Sequence, residues 1–441
     1  MKIAYLCPDL GVPVLGRKGA SAHVRGLVAA LRRGGHPVVV VTPILNGSPW
    51  EEPAAIEVQL LHVPPGADAE NVFVALKTLN VTLGVQSSLP GELRRVLYNQ
   101  DLAKQLMRRF EHSPPDFIYE RASLYATAGV TVARELNVPA LVELNAPLPL
   151  EQSVYRGTGL GELAAQAERW TLTHADAVLA VSSPLQDYAV SLGVEPSRVH
   201  VVPNGVDPTL FRPGPPNPRL RTRWGLGVGP VLGFVGGLRP WHGVDALPDL
   251  LSRLIDRHPT LRLLVAGDGP QRAELERDLR ERGLGRSAVL TGSLPQEDVA
   301  ELIRLFDVAI APYARLEHAF YFSPLKMFEY MACGVAVVAA AVGQIAEVIR
   351  DGETGLLYPA GDSSALLAAC ERLLSDPTLR SRLGDAAAKE IHGRYSWTRT
   401  RNASLIWHAR LRPRGERTHD APSGGLRAPR ISKNLGDVRR E

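Results

Sequence analysis

The sequence predicts an α/β protein built from two doubly wound, Rossmann-like domains that face each other across a central cleft. Three observations carry this expectation. The chain has 441 residues, too many for one ordinary hydrophobic core. Short apolar runs alternate with helical stretches, the pattern of a parallel sheet covered on both faces. The alternation stops in residues 199–218, VHVVPNGVDPTLFRPGPPNP, and then starts afresh. That segment is crowded with Pro, Gly, Asn and Asp, as a linker should be.

The first series opens at residues 3–7, a buried strand. A loop rich in Gly and Pro follows, then helical periodicity over residues 23–33, ended by Gly34 and Gly35. Residues 38–41 make the next strand, and residues 117–119, 140–143 and 177–181 continue the series. The second series runs through residues 231–235, 261–266, 288–290, 308–310 and 336–339. We place the first domain at 1–204 and the second at 205–395. A last helix over about 396–411 is expected to return to the first domain. Residues 412–441, rich in Pro, Gly and Arg and without periodicity, are expected to be disordered.

Residues 75–110 break the alternation. Residues 93–110 have helical periodicity, with Arg94, Arg95, Lys104, Arg108 and Arg109 beside apolar positions. Two readings stand: an amphipathic helix on an anionic membrane, or a surface helix of the domain.

Composition excludes several classes. Hydrophobic residues make up 45% and charged residues 22%, an ordinary globular balance. No apolar run reaches the roughly 20 residues of a membrane-spanning helix. The N-terminus reads as a strand and not as a secretory signal. Cys7, Cys333 and Cys370 are odd in number and widely spaced, which fits neither a disulfide framework nor a metal site. The cytoplasm is the expected compartment, with peripheral contact at the inner face of the membrane left open. The net charge is +4, and much of the excess sits in the tail at Arg427, Arg430, Lys433, Arg439 and Arg440. That tail lacks interleaved aromatic residues, so it gives no nucleic-acid signature.

In open parallel sheets, ligands bind beyond the carboxyl ends of strands, so the loops after strands are where chemistry should lie. GRKGASAH, residues 16–23, joins the first strand to the first helix. Small residues there allow close backbone approach, and a helix N-terminus offers free N–H groups. It is not GxGxxG. FVGGLRPWHGVDAL, residues 234–247, repeats the arrangement in the second domain, with Arg239 and His242 able to face an anion. VAGDGP, residues 265–270, is a tight turn at a strand end.

YFSPLKMFEYMACG, residues 321–334, is the most informative stretch. Ser323 and Pro324 read as N-cap and first helical residue. Lys326 and Glu329, three apart, share a helix face. A nucleotide-sugar needs this combination: donors for a diphosphate, and a carboxylate for ribose hydroxyls. A surface helix with a Lys–Glu pair is the competing reading. DGETGLLYP, residues 351–359, reads as a turn into a short strand.

Taken in order, these stretches resemble the family 4 glycosyltransferases, which have the GT-B fold. The further matches are VVPNGVD (residues 201–207), VAIAPY (308–313) and FEYMACGVAVVA (328–339). The resemblance covers nearly the whole chain to about residue 411. It implies retaining transfer from a nucleotide-sugar, with the nucleotide on the second domain, the acceptor on the first, and neither metal nor cofactor. It implies donor contacts from Gly19, Ala20, Gly236, Gly237, Arg239, His242, Gly292, Tyr321, Ser323, Pro324, Leu325, Lys326 and Glu329. Lys326, Glu329 and Arg239 are the expected catalytic group. Arg121, Glu143 and Asn145 are expected on the acceptor side, where a plain salt bridge from Arg121 to a carboxylate is the competing reading. The acceptor is carbohydrate, lipid-linked or a small molecule.

The sequence departs from the family pattern in two places. The usual Arg and Lys after the first strand of the second domain fall on Gly237 and His242. Of the usual two glutamates with seven residues between them, Glu329 matches the second, while the first falls on Tyr321. Lys326, aided by Arg239 and His242, is therefore expected to clamp the diphosphate. The rivals are another reaction on this fold, epimerisation or phosphorolysis, and a nucleotide-sugar-binding protein without catalysis.

Overall fold

A computed structural model describes residues 1–46, 56 and 58–410. The tail assigned to disorder therefore lies outside the described residues. The first domain runs β1 (Ile3–Leu6), α1 (Gly19–Arg33), β2 (Val38–Thr42), β3 (Gln59–His62), α2 (Ala67–Leu83), α3 (Leu89–Phe110), β4 (Phe117–Arg121), α4 (Ala128–Glu135), β5 (Ala140–Leu144), α5 (Leu148–Arg156), α6 (Gly161–His174), β6 (Ala177–Ala180), α7 (Ser183–Ser191) and β7 (Val199–Val201). The second runs α8 (Pro218–Arg223), β8 (Val231–Val235), α9 (Leu247–Ile255), β9 (Arg262–Ala266), α10 (Arg272–Glu281), β10 (Ala288–Gly292), α11 (Gln296–Ile303), β11 (Val308–Ala311), α12 (Leu325–Ala332), β12 (Ala336–Ala340), α13 (Gly343–Val348), β13 (Leu356–Tyr358), α14 (Ser363–Ser375) and α15 (Pro377–Arg394). α16 (Trp397–Arg410) closes the described chain.

Two parallel sheets result. The first has the order β3-β2-β1-β4-β5-β6-β7, and the second β10-β9-β8-β11-β12-β13. Both reverse direction at their centre, between β1 and β4 and between β8 and β11. Such a reversal splays the following loops apart and opens a crevice. The central strands are buried along their length, as runs such as VLGFV and VVAA require in a sheet covered on both faces. The first domain has a core on each face of its sheet, one around Ala4, Leu6 and Leu102, the other around Tyr5, Leu27 and Tyr119.

α16 lies along α1 of the first domain. Trp397 is buried in that domain's core and packs edge-on against the His23 ring, with centroids 5.0 Å apart. In the first domain, residues 199–201 and 67–110 differ from the sequence reading. Residues 199–201, assigned to the linker, form the edge strand β7, because Val199 still pairs with Val178. Residues 67–110 are a helical hairpin. On α3 the apolar positions Tyr98, Leu102, Leu106 and Phe110 repeat every four residues and are all buried. α3 thus packs its apolar side on the domain and turns Lys104, Arg108 and Arg109 outward. All three cysteines are buried and unbridged.

Candidate functional site

The loops after β8, β9 and β10 form one laminated surface. Gly236 N donates to Ala266 O at 2.9 Å, Leu238 N to Asp268 O at 2.9 Å, and Gly267 N to Gly292 O at 2.9 Å. Gly236 and Gly267 have φ of +138° and +150°, a region side chains rarely enter. A Cβ on Gly267 would sit 1.9 Å from Gly236 O, and one on Gly236 would sit 2.8 Å from Lys326 Nζ. The glycines are therefore what lets Lys326 reach the backbone of the first loop.

Lys326 lies in the first turn of α12 and is 7% exposed. Its Nζ stands 4.3 Å from the centre of the Phe234 ring and 5.0 Å from that of Tyr313. No hydrogen-bond acceptor reaches it among the described residues. Burial pushes its pKa down to about 7, and Glu329 pulls it partly back. Glu329 is also buried, and burial pushes its carboxyl up to about 7, opposed by Gln296 and Lys326. Its Oε1 accepts a long bond of 3.5 Å from Gln296 Nε2 of α11. This is a cation held over aromatic faces and short of partners, an arrangement that costs stability unless an anion meets it.

The helix start differs from the sequence reading. α12 begins at Leu325 with Pro324 as its N-cap residue, and no side chain caps it. The Ser323 hydroxyl instead accepts from Asn204 N at 3.2 Å, while Asn204 Nδ2 donates to Ser323 O at 2.6 Å. Ser323 therefore ties α12 to the inter-domain segment and leaves the N-terminal N–H groups of α12 without a side-chain cap.

His242 does not add charge. Its Nδ1 bonds to Gly237 O, and burial, with Lys326 and Arg239 nearby, pushes its pKa down to about 3. It is a neutral staple for the glycine loop. Arg239 is exposed, 5.7 Å from the centre of the Trp241 ring. Gly237 lies between these two side chains.

The first domain supplies the facing wall. Arg25 Nη1 donates to Val14 O at 2.9 Å and Gly16 O at 2.6 Å, which fixes the loop leading into α1. α1 starts at Gly19 and Ala20 with no side-chain cap and no acid in its first turn. Arg17 Nη1 crosses to Ser293 O at 3.3 Å, so this loop meets the one after Gly292. Deeper in, Glu143 is saturated. Its Oε1 accepts from Arg121 Nη1 at 2.9 Å and from Asn145 Nδ2 at 2.6 Å, and lies 2.8 Å from His23 Nε2. Its Oε2 accepts from Tyr119 OH at 2.6 Å. Burial alone would raise its pKa, but His23, Arg121 and Asn145 hold it well below the usual carboxylate range. Such a group cannot serve as a base near neutral pH. The plain salt-bridge reading is what Arg121 and Glu143 adopt.

Comparison with known proteins now bears on this geometry. Residues 17–210 match the family model for Glycosyltransferase Family 4, and residues 229–376 match that for Glycosyl transferases group 1. The chain is 30% identical over 298 residues to an alpha-maltose-1-phosphate synthase of Mycolicibacterium smegmatis, covering 63% of this chain and 74% of that one. It belongs to the family 4 glycosyltransferases.

A D-inositol 3-phosphate glycosyltransferase of Acidothermus cellulolyticus is 36% identical over 219 residues; that match spans about half of each chain, 47%. Among solved structures, Anabaena HepE in complex with UDP and glucose superposes with a TM-score of 0.70 at 19% identity, covering 93% of this chain and all of that one. The architecture is GT-B.

In this glycosyltransferase the departure at Tyr321 acquires a physical role. Tyr321 belongs to the second domain in sequence but packs in the core of the first. Its hydroxyl donates to Glu151 Oε1 of α5 at 2.6 Å, and its carbonyl accepts from Ser182 Oγ at 2.7 Å. Tyr155 OH meets His318 Nε2 at 2.8 Å, and its ring packs against Trp241. α5 thus holds the loop before α12 against the first domain. Sequence reasoning missed Glu151, Tyr155, Ser182, Gln296 and the Phe234–Tyr313 cage. Asn204 inside VVPNGVD, Phe234 at the head of residues 234–247 and Tyr313 at the end of VAIAPY carried a local signal.

A carboxylate at 321 would now face Glu151. Tyr321→Glu is therefore expected to lower turnover instead of restoring the family pattern. The lost bond to a charged acceptor is worth about 2 kcal/mol, before repulsion is added. The pair Tyr321→Glu/Glu151→Ala is expected to recover much of the loss. Steady-state kinetics of the three variants measure this.

Proposed function

We propose that the chain transfers a sugar from a nucleoside-diphosphate sugar to an acceptor hydroxyl with retention of anomeric configuration and without a metal, in the synthesis of a polysaccharide, glycolipid or other glycoconjugate. The observation that carries this is Lys326: a buried ammonium without a hydrogen-bond acceptor among the described residues, at a helix N-terminus with no side-chain cap, against the glycine loop after β8. A diphosphate laid there would meet Nζ and the first N–H groups of α12, with exposed Arg239 at the rim. Glu329, behind it on the same helix, is suited to accept from ribose hydroxyls.

In this reading the bond from the anomeric carbon to the diphosphate oxygen breaks as the acceptor oxygen attacks from the same face. Negative charge grows on the leaving diphosphate, where the fixed donors stand, and this supplies most of the rate gain. The acceptor proton passes to the leaving oxygen. Glu143, held ionised and fully engaged, positions Arg121 and Asn145 on the acceptor side and takes no proton. Closure along the Tyr321–Glu151 seam excludes water.

The test is thermal stabilisation by UDP, GDP, ADP and CMP in turn. A nucleotide at a hundred times its dissociation constant should stabilise the fold by about 2.7 kcal/mol. One of them is expected to raise the melting temperature, and Glu329→Ala to remove the shift. No shift with any nucleotide would overturn the donor site. A shift without hydrolysis or transfer of the matching nucleotide-sugar would leave a binding protein, and acceptor-independent isomerisation an epimerase.

A further inference from the structure

A run of ring contacts crosses from the second domain to the first beside the loop that joins β11 to α12. Trp241 begins it, with the Arg239 guanidinium 5.7 Å from its ring centre. The backbone carbonyl of Trp241 accepts from Ala314 N, in that loop, at 3.4 Å. The Trp241 ring packs on Tyr155 of α5, with centroids 5.1 Å apart. Tyr155 OH meets His318 Nε2 at 2.8 Å, and the His318 ring stacks on Tyr321 at 5.3 Å. The run ends on a carboxylate, Glu151, whose Oε1 accepts from Tyr321 OH.

Glu151 lies in the first turn of α5 and is partly exposed. Its Oε2 has no partner among the described residues. The helix beneath it is fixed from behind. Leu148 N, at the start of α5, donates to Glu168 Oε1 at 3.1 Å, and Glu168 Oε2 accepts from Tyr188 OH. Glu168 is the second acid near Glu151, and burial pushes its carboxyl up to about 7, so the two do not face each other as a fixed pair of full charges. Arg156, exposed at the end of the same helix, is the nearby cation. The Tyr155 side of this arrangement is open, at 37% exposure, and Trp241 is partly exposed. A carboxylate oxygen suits a hydroxyl donor, and exposed aromatic rings suit an apolar C–H face. A pyranose ring presents both.

We infer that Glu151, on the first domain, is a specificity-determining residue for the sugar carried by the nucleotide: its Oε2 accepts from a hydroxyl of that sugar, while the Tyr155 and Trp241 rings take its C–H face. This rests on the reading of Lys326 as the cation that holds the diphosphate. Two observations favour the donor's sugar over a sugar of the acceptor. The sugar is bonded to the diphosphate, and the loop that carries His318 and Tyr321 runs straight into the first turn of α12, where Lys326 stands. Trp241 lies two residues from Arg239, at the rim of the same site, and under its guanidinium. The sugar's pocket then takes one wall from each domain and is complete only when the two are closed.

The experiment is calorimetric titration of the full chain with each nucleotide and with its sugars: UDP against UDP-glucose, UDP-galactose and UDP-N-acetylglucosamine, GDP against GDP-mannose, and ADP against ADP-glucose. Glu151→Gln keeps an oxygen that accepts from Tyr321 OH and removes the charge. It is expected to weaken the nucleotide-sugar that the wild type binds by about tenfold or more, the worth of a hydrogen bond to a charged group, and to leave the bare nucleotide unchanged. That unchanged affinity also shows that the variant is folded. Tyr321→Phe removes the inter-domain bond and keeps the carboxylate. It is expected to hold the ratio of the two affinities near that of the wild type. Loss of neither affinity in Glu151→Gln, or equal loss of both, overturns the inference and keeps the donor site. So does a ratio that falls as far in Tyr321→Phe as in Glu151→Gln, because Glu151 would then act only through the seam. Failure of every bare nucleotide to bind the wild type overturns the donor site, and this inference with it.

Discussion

Lys326→Met is expected to reduce turnover of the nucleotide-sugar by about a hundred- to a thousandfold, the loss seen when one fixed donor to a developing anion is removed, and to abolish stabilisation by the nucleotide. The same change should make the protein more stable. Nζ is buried without a hydrogen-bond acceptor among the described residues, and replacing such a charge by an apolar chain of similar length is worth about 1–3 kcal/mol. The gain depends on pH in a defined direction. The folded-state pKa of Lys326 is about 7, below the ordinary 10.5. Between those values the unfolded chain binds more protons, so this group's contribution to wild-type stability rises with pH across the window. The advantage of the methionine variant is therefore largest below pH 7 and fades towards pH 10.5. Glu329 runs the other way: its pKa is raised from 4.5 to about 7, so its contribution is full below 4.5 and falls as pH rises to 7. Nucleotide binding should also take up a proton near pH 8, since the diphosphate requires the charged ammonium. Calorimetry in buffers of different ionisation enthalpy reads that uptake, and the methionine variant should lose it. A variant that is inactive and also less stable would mean that Lys326 is structural.

Arg121→Ala should be the most destabilising single change in the cluster around Glu143. It leaves Glu143, 2% exposed, as a buried carboxylate stripped of its guanidinium partner. Breaking a buried pair from one side costs about 3–5 kcal/mol. Chemical denaturation measures this, and Arg121→Ala/Glu143→Gln should recover a large part, because the stranded charge is then gone. The pH dependence has a clear sign. The pKa of Glu143 lies well below the ordinary 4.5 in the folded chain. Its contribution to stability is therefore present above about pH 4.5 and lost as the pH falls below it. Removing Arg121 raises the folded-state pKa, so the variant should lose less stability on acidification than the wild type. An equal acid response in both would mean that His23, Asn145 and Tyr119 hold the charge without help.

Much of the proposed donor side was legible because its determinants are local. Glycines at strand ends mark close backbone approach, and Lys326 and Glu329 lie within one turn of one helix. The cluster around Glu143 was half legible: Arg121, Glu143 and Asn145 end adjacent strands, but His23 reaches Glu143 from α1 and Tyr119 from β4. The helix start at Ser323-Pro324 was misplaced by one position. A serine before a proline caps its own helix when nothing competes, and here Asn204, 119 residues earlier, takes its hydroxyl.

The sequence by itself determined two parallel α/β domains, the glycine-rich turns at their strand ends, and the family. Hydrophobic periodicity and turn chemistry act over a few residues, and the order of motifs survives without coordinates. Only the tertiary structure decided the charge states and the seam. Burial makes Lys326 a reluctant cation and His242 neutral, because desolvation depends on what surrounds a group and not on its neighbours in sequence. The meeting of Tyr321 with Glu151 joins residues 170 positions apart on different domains. No local pattern encodes such a contact; it exists only once both domains have folded and closed on one another.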